Sequence, residues 1–405
     1  MLLPAVACTL LLSGSTAPWM TGQSRAEDLE VWLVTFGPGE EVPEWWGHTG
    51  LAVQDNALHQ ARLYNYGMFA FDDGFLGRFV RGRLEFWAGE DPVGPTFQLY
   101  QSLDRDVRIQ VLNLTPAQAM SMAQALATNV LPENRMYLYD HYRDNCSTRP
   151  RDILDRALGG QLLAATRGPA RYSLRQLTRK YSRVNPLMLL VLDLLQNDLL
   201  DKPIQQAQEA FLPDELERQV QALQITREDG SRVPAVKRQF NWYTAKRPST
   251  LEEPPRWTPL LLLAGLVLGA AAVLCGAWAR GGGRLPRVLL GLEASAATLV
   301  LGVLGTVMAL LWFTDHAVGP RNQNLFFVNP LTLAAFPCAV MSTLGSKRGA
   351  RALRAILAVL AVTSLLGIAV KVLPAFDQDN WNVMALLVPW NLGLAFGVVW
   401  SRRAV

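Results

Sequence analysis

The sequence predicts an α+β domain joined to a bundle of five membrane-spanning α-helices. Three observations predict it. Strand alternation and helix-capping signals follow one another between about residues 27 and 236. Five apolar stretches fill the chain from residue 258 onward. The charges in the loops between those stretches alternate from strongly basic to mixed. The chain has 405 residues, 50% hydrophobic and 18% charged, and these figures average two unlike parts. A net charge of +4 is too small to argue for nucleic acid and reflects arginines beside the apolar stretches.

Residues 2–12 are apolar, too short to span a bilayer, and followed by small residues, so residues 1–26 read as a leader or signal peptide. The expected organisation is leader 1–26, extracytoplasmic domain 27–236, basic linker 237–256 and membrane domain 257–405. In the domain, Val31 to Phe36 alternates with period two and ends at Gly37-Pro38-Gly39, which predicts a strand. His48 to Val53 and Leu58 to Tyr66 predict a hairpin around Asp55-Asn56, and Val107 to Leu112 a further strand. Thr115-Pro116-Ala117-Gln118 is a capping box with proline at the first helical position, opening a helix to about Asn129. Residues 137–143 and 151–158 are expected to be helical on either side of Cys146. Ser173 caps another helix, 186–200 is a strongly apolar one, and Pro213 starts the last.

The apolar stretches lie at about 258–278, 286–313, 326–344, 352–373 and 382–400, each about the length that crosses a hydrocarbon core. The first loop carries Arg280, Arg284 and Arg287, the third Lys347, Arg348, Arg351 and Arg354, and the tail Arg402 and Arg403. The alternate loops carry Asp315, His316 and Arg321, then Lys371, Asp377 and Asp379. The positive-inside rule therefore places the basic loops in the cytoplasm and the α+β domain outside.

Of four cysteines, Cys8 lies in the leader and Cys275 and Cys338 in apolar stretches, so Cys146 stands without a disulfide partner in the exported domain. Its setting, Asp144-Asn145-Cys146-Ser147-Thr148-Arg149, is polar and reads as that of a nucleophile; the alternative is a small buried hydrophobe. A helix start and the nearby Arg149 and Arg151 would lower the thiol pKa. A thiol nucleophile needs a base, and His48 in Trp45-Trp46-Gly47-His48-Thr49 is the best candidate. A two-residue turn at Asp55-Asn56 would set His48 opposite Leu63, with Asn65 on the diagonal about 7 Å away. Asn65 is then the first choice to orient the imidazole, and His59 the second. His141 reads as a surface or packing residue, and the aromatics Trp45, Trp46, Phe69, Phe71, Phe75, Phe79, Phe86 and Trp87 mostly as core, some of them free to contact membrane. Arg149 is either a solvated charge or a contact for lipid phosphate or an oxyanion. His316 and Asn322 to Asn324 form either a plain connector or one wall of a lipid site. No CxxC, HExxH or clustered acids suggest a metal, and no cofactor is expected.

Gly47-His48-Thr49, Tyr64-Asn65-Tyr66-Gly67-Met68-Phe69, Asp144 to Arg149 and Phe211-Leu212-Pro213 together resemble the extracytoplasmic domain of the Lnb lipoprotein N-acyltransferase family. Asp315-His316, Asn322-Gln323-Asn324 and Asn329-Pro330 resemble that family's membrane part. A His-bearing strand followed by an Asn-Cys helix start is also similar to the permuted papain-like fold of lecithin retinol acyltransferase and NlpC-like enzymes. The resemblance implies that Cys146 accepts the acyl group and His48 is its base. Candidate substrate contacts are Asn145, Arg149 and Tyr66, with His316 and Asn324 from the membrane part. The partners implied are a membrane phospholipid as acyl donor and a diacylglyceryl lipoprotein as acceptor, at the periplasmic face of a bacterial cytoplasmic membrane. Hydrolysis of a lipid or a cell-wall peptide by the same dyad, and a non-catalytic sensor or assembly factor, are the alternatives.

Overall fold

The computed structural model describes residues 16–248 and 253–401. The chain forms two compact units: the first runs to Val184 and resumes at Pro203, and the second takes Asn185–Lys202 and the chain from Glu253.

The first unit is built on β1 (Leu29–Phe36), β2 (His48–Asp55) and β3 (Gln60–Met68), followed by α1 (Phe75–Arg81), β4 (Glu85–Pro92), α2 (Val93–Ser102) and β5 (Val107–Leu112). Helix α3 (Pro116–Asn129), strand β6 (Met136–Leu138) and helices α4 (Thr148–Ala157), α5 (Gln161–Ala165) and α6 (Leu174–Ser182) come next. Helix α7 (Pro186–Leu195) belongs to the second unit; α8 (Gln206–Glu209), α9 (Pro213–Ala222), β7 (Gln224–Thr226), β8 (Arg232–Pro234) and β9 (Val236–Tyr243) complete the first. Seven strands make one antiparallel sheet in the order β6-β4-β3-β2-β1-β5-β9, and β7 pairs with β8.

Period-two alternation gives the sheet two apolar faces. Val31, Leu33, Leu51, Val53, Tyr64 and Tyr66 pack among residues of α3, α4 and α9. Val34, Phe36, Ala52, Leu63 and Ile109 pack with Val93 and Phe97 of α2 on the other face. Helix α3 starts as expected, with Thr115 and Gln118 exchanging both capping-box bonds, and Ser173 and Gln176 do the same for α6.

The hairpin loop is longer than expected. Asp55 Oδ1 accepts from the amides of Ala57 and Leu58, so the strands pair from Asp55 and Gln60 and leave residues 56–59 as the loop. Ala52, not His48, stands opposite Leu63. The shift is even, so every side chain keeps its face.

Several boundaries also fall elsewhere than expected. Residues 2–12 lie outside the described residues, but residues 16–26 pack against the domain: Trp19 is buried and meets Tyr64 edge-on, its large ring closing the sheet face beside α3. Residues 237–243, expected as linker, form most of edge strand β9, because unpaired β5 backbone takes them up as a ladder. Tyr137 pairs with Phe86 in β6 instead of being helical. The apolar helix ends at Leu195 and packs in the second unit, where Asp193 is buried and accepts from Asn382 Nδ2 at 2.8 Å.

The second unit contains α10 (Thr258–Ala279), α11 (Arg284–Leu310), α12 (Pro330–Thr343), α13 (Lys347–Ala369) and α14 (Trp381–Trp400). With their short 3-10 extensions they provide five helices long and apolar enough to cross a membrane, at 258–279, 284–313, 323–343, 347–372 and 381–400. Asn322, Asn324 and Gln378 hold the chain beside α7 by donating to Leu194 O, Asp193 O and Gln196 O.

Candidate active site

Cys146 sits on a turn whose geometry is set by Asn145. Both Asn145 amide hydrogens are used, on His141 O and Phe211 O at 2.8 Å each. Its Oδ1 accepts from the amides of Ser147 and Thr148, capping α4. The saturated amide leaves Asn145 no bond for a substrate; it holds the turn that presents the cysteine. Gly67 makes room for that turn. Its φ is +90°, and a Cβ there would lie 3.5 Å from Cys146 Cβ, so the strand backbone and the cysteine meet closely.

His48 Nε2 lies 3.0 Å from Asn65 Oδ1, and Asn65 Nδ2 donates to Asp91 Oδ2 at 2.8 Å. The three residues stand on neighbouring strands β2, β3 and β4, with Asn65 opposite Gly50 and Asp91 opposite Leu63. The chain of bonds has one direction. An ionised carboxylate only accepts, so the Asn65 atom facing Asp91 is Nδ2; Oδ1 then faces His48, which must carry its proton on Nε2. Nδ1 is left with the free lone pair. Gly50 is required beneath this bond, because a Cβ there would lie 2.7 Å from Leu63 Cδ1 and 3.1 Å from Asn65 Oδ1. The imidazole is stacked near Phe36 and Tyr100, and Arg105 spans Gly37 O and Glu44 close by.

Cys146 and His48 line one cleft of about 520 Å³. The Thr49 amide donates to the Cys146 sulfur. Burial nevertheless pushes the thiol up to about 11, against the opposing pull of the Thr49 and Cys146 amides and the Arg105 charge. This reverses the expectation of a lowered pKa: enclosure outweighs the helix start, and Arg149 is turned to a bidentate pair with Asp144 and stacked 3.6 Å from the centre of the Tyr137 ring. Burial also pushes His48 down to about 4; the Asn65 bond opposes this and Arg105 adds to it. Both groups in the cleft therefore rest in their neutral forms.

The other candidates fall in different places. The Tyr66 ring lies on the sheet face opposite His48, where its hydroxyl accepts from Asn129 Nδ2. Tyr66 nevertheless lines the cleft next to Gly67, where β3 passes the Cys146 turn. His59 is exposed in the hairpin loop with φ +53°. Asn324 is buried in the second unit, donating to Asp193 O and Leu194 O and accepting from Asn380. Its amide fastens α7 and has no hydrogen left for a ligand. His316 lies half-buried in the loop after α11.

Asp91, His141 and a group of phenylalanines were not assigned to the site from the sequence. Asp91 lies on β4, whose sequence Glu85–Pro92 gives no clear alternation. His141, read as a surface or packing residue, lines the cleft with Nδ1 3.3 Å from Tyr139 Oη and no hydrogen-bond partner for Nε2 among the described residues. Phe69, Phe71, Phe75 and Phe79 line the cleft together with the buried Phe86, and Phe71 and Phe79 are exposed. Among the described residues, no group of three His, Cys, Asp or Glu could hold a metal ion.

No curated protein and no solved structure matches the chain. Residues 15–180 match the family described as the Lnb N-terminal periplasmic domain. Cys146, His48, Asn65 and Asp91 all lie within that match. The chain is therefore a multi-pass membrane protein that carries an Lnb N-terminal periplasmic domain ahead of five candidate membrane-spanning helices.

Proposed function

We propose that this protein is a thiol acyltransferase of permuted papain-like architecture, which N-acylates the terminal cysteine of lipoproteins through a thioester on Cys146. The observation that carries the reading is the directed Asp91–Asn65–His48 relay, which leaves an imidazole lone pair in the same cleft as the thiol. A buried histidine held in one tautomer by two successive polar groups is costly unless its free nitrogen is used.

The chemistry follows from the neutral resting pair. His48 Nδ1 takes the thiol proton as the sulfur attacks the ester carbonyl of a membrane phospholipid. The ester C–O bond breaks, and His48 returns the proton to the departing lysolipid oxygen. The α-amino group of a diacylglyceryl-cysteine then attacks the thioester, His48 accepts the ammonium proton, and the C–S bond breaks to restore the thiol. Thioester to amide is downhill. The site needs neither a metal nor a redox partner for any of these steps. The aromatic lining favours a lipid chain over a wall peptide, whose polar backbone would be left unsatisfied there.

The test is mass spectrometry of lipoprotein N-termini from cells whose sole candidate N-acyltransferase is the intact protein or its Cys146→Ala form. N-acylated termini with the intact protein and free α-amino termini with the variant are expected. Undiminished N-acylation by Cys146→Ala overturns the reading; Cys146-dependent release of free fatty acid without N-acylation would assign water as the acceptor.

A further inference from the structure

The cleft has a second end that the relay does not use. From Cys146 it continues along Phe69, Phe86, Phe75 and Phe79. Phe69 and Phe86 stack with ring centres 5.0 Å apart, Phe71 meets Phe75 at 4.7 Å, and Phe75 and Phe79 follow at 6.1 Å. This row ends on α1, and there the apolar surface turns outward. Phe71 is 65% exposed, Leu76 71%, Phe79 48% and Val80 56%. At about 100° per residue, Phe75, Leu76, Phe79 and Val80 occupy an arc of roughly 140° on the helix, with Arg78 and Arg81 on the opposite side.

A seven-residue helix that keeps large apolar side chains in water loses their burial energy unless something covers them. The covering surface can be named from this chain. The five apolar helices that follow place the domain beside a bilayer for its whole life. The pattern itself, an apolar arc opposed by arginines, is that of a helix lying in a lipid interface. The outward face is also continuous with a cleft that is lined by aromatics and closes on a thiol. A soluble protein partner would cover α1 but would not explain that continuity.

We propose that α1 lies in the outer leaflet of the bilayer, and that the aromatic arm of the cleft receives a lipid acyl chain directly from it. This deepens the acyltransferase reading by assigning the route of the acyl chain, and its test is chosen to be independent of turnover.

The intact protein, with its native cysteines replaced by serine, is reconstituted in vesicles of phosphatidylethanolamine and phosphatidylglycerol. An environment-sensitive fluorophore is placed at Leu76→Cys, or at Glu228→Cys in the exposed β7–β8 turn as control. The Leu76 probe should be quenched several-fold more by nitroxide-labelled lipid than the Glu228 probe, and shielded several-fold from iodide. Equal iodide access at both positions overturns the membrane contact. For the cleft, phosphatidylglycerol with a photoreactive group in its acyl chain is irradiated with the Cys146→Ser protein. Cross-links should map to residues 69–86, and Phe75→Asp should reduce them at least fivefold. Cross-links confined to the membrane helices overturn the acyl route. Neither measurement needs catalysis, so a failed acyltransferase assay with positive quenching and cross-linking would refute the function and leave this inference standing.

Discussion

In the proposed mechanism Asp91 acts as a positioning residue through Asn65, and replacing it by alanine is the most informative perturbation. Asn65 Nδ2 donates to the Asp91 carboxylate at 2.8 Å, and a hydrogen bond to a charged group contributes about 1.5–3 kcal/mol. That energy orients the Asn65 amide. Without it, the flipped amide points its NH2 at His48 Nε2, which must then accept, and the imidazole proton moves to Nδ1. The base is lost in that state. The lost bias corresponds to a ceiling of about 10- to 150-fold on the fall in kcat, since about 1.4 kcal/mol is tenfold. Asp91→Asn keeps an acceptor for Asn65 and should fall less than tenfold, while His48→Ala should lose nearly all turnover. The assay is the rate of conversion of diacyl to triacyl lipoprotein by the purified, reconstituted protein, with thermal unfolding measured alongside. KM should change little, because Asp91 is two bonds removed from the cleft. An Asp91→Ala protein within twofold of the wild-type rate, in a background where Asn65→Ala is strongly impaired, would refute the directed relay. A fall in rate matched by a collapse of the melting temperature would refute the positioning role in favour of a purely structural one.

Other outcomes follow from the same geometry. Gly50→Ala places a methyl group 3.1 Å from Asn65 Oδ1 and 2.7 Å from Leu63 Cδ1, and should lower kcat at least tenfold with about 1–3 kcal/mol of lost stability from overpacking; a wild-type rate would contradict the tight seat of the His48–Asn65 bond. Because burial holds the Cys146 thiol near 11, its alkylation by iodoacetamide should rise about tenfold per pH unit between pH 7 and 9, whereas a plateau below pH 7 would mean a stabilised thiolate. His48 is held near 4 against 6.5 unfolded, so the unfolded chain binds more protons between those values; the contribution of about 3 kcal/mol is present above pH 6.5 and is lost as pH falls toward 4. His48→Gln should flatten that acid limb in detergent unfolding curves, and an unchanged slope would count against a buried neutral imidazole. Asn324→Ala removes donors to Asp193 O and Leu194 O and should lower the melting temperature while leaving KM unchanged; a raised KM at constant stability would make Asn324 a substrate contact instead.

The sequence by itself determined the features that depend on local chemistry or long periodicity. Val107–Leu112, the Thr115 cap and the five apolar spans were all legible because alternation, capping and hydrophobic length act within a few residues or one helix. The pairing of His48 with Asn65 was legible for a subtler reason. The assumed turn was two residues too short, yet the resulting register shift was even, and a strand's faces repeat every two residues. The same parity turns the Tyr66 ring to the sheet face opposite Asn65, although Tyr66 still lines the cleft. Only tertiary structure decided the rest. Asp91 reaches Asn65 across a strand pair with no sequence signal, and β9 joins the sheet beside β5 although more than a hundred residues separate them in the chain. The thiol's pKa depends on how completely the surrounding elements enclose it, a non-local quantity that outweighed the local pull of a helix start. Likewise, the phenylalanines around α1 have the composition of a core, and only the folded chain shows which of them face outward.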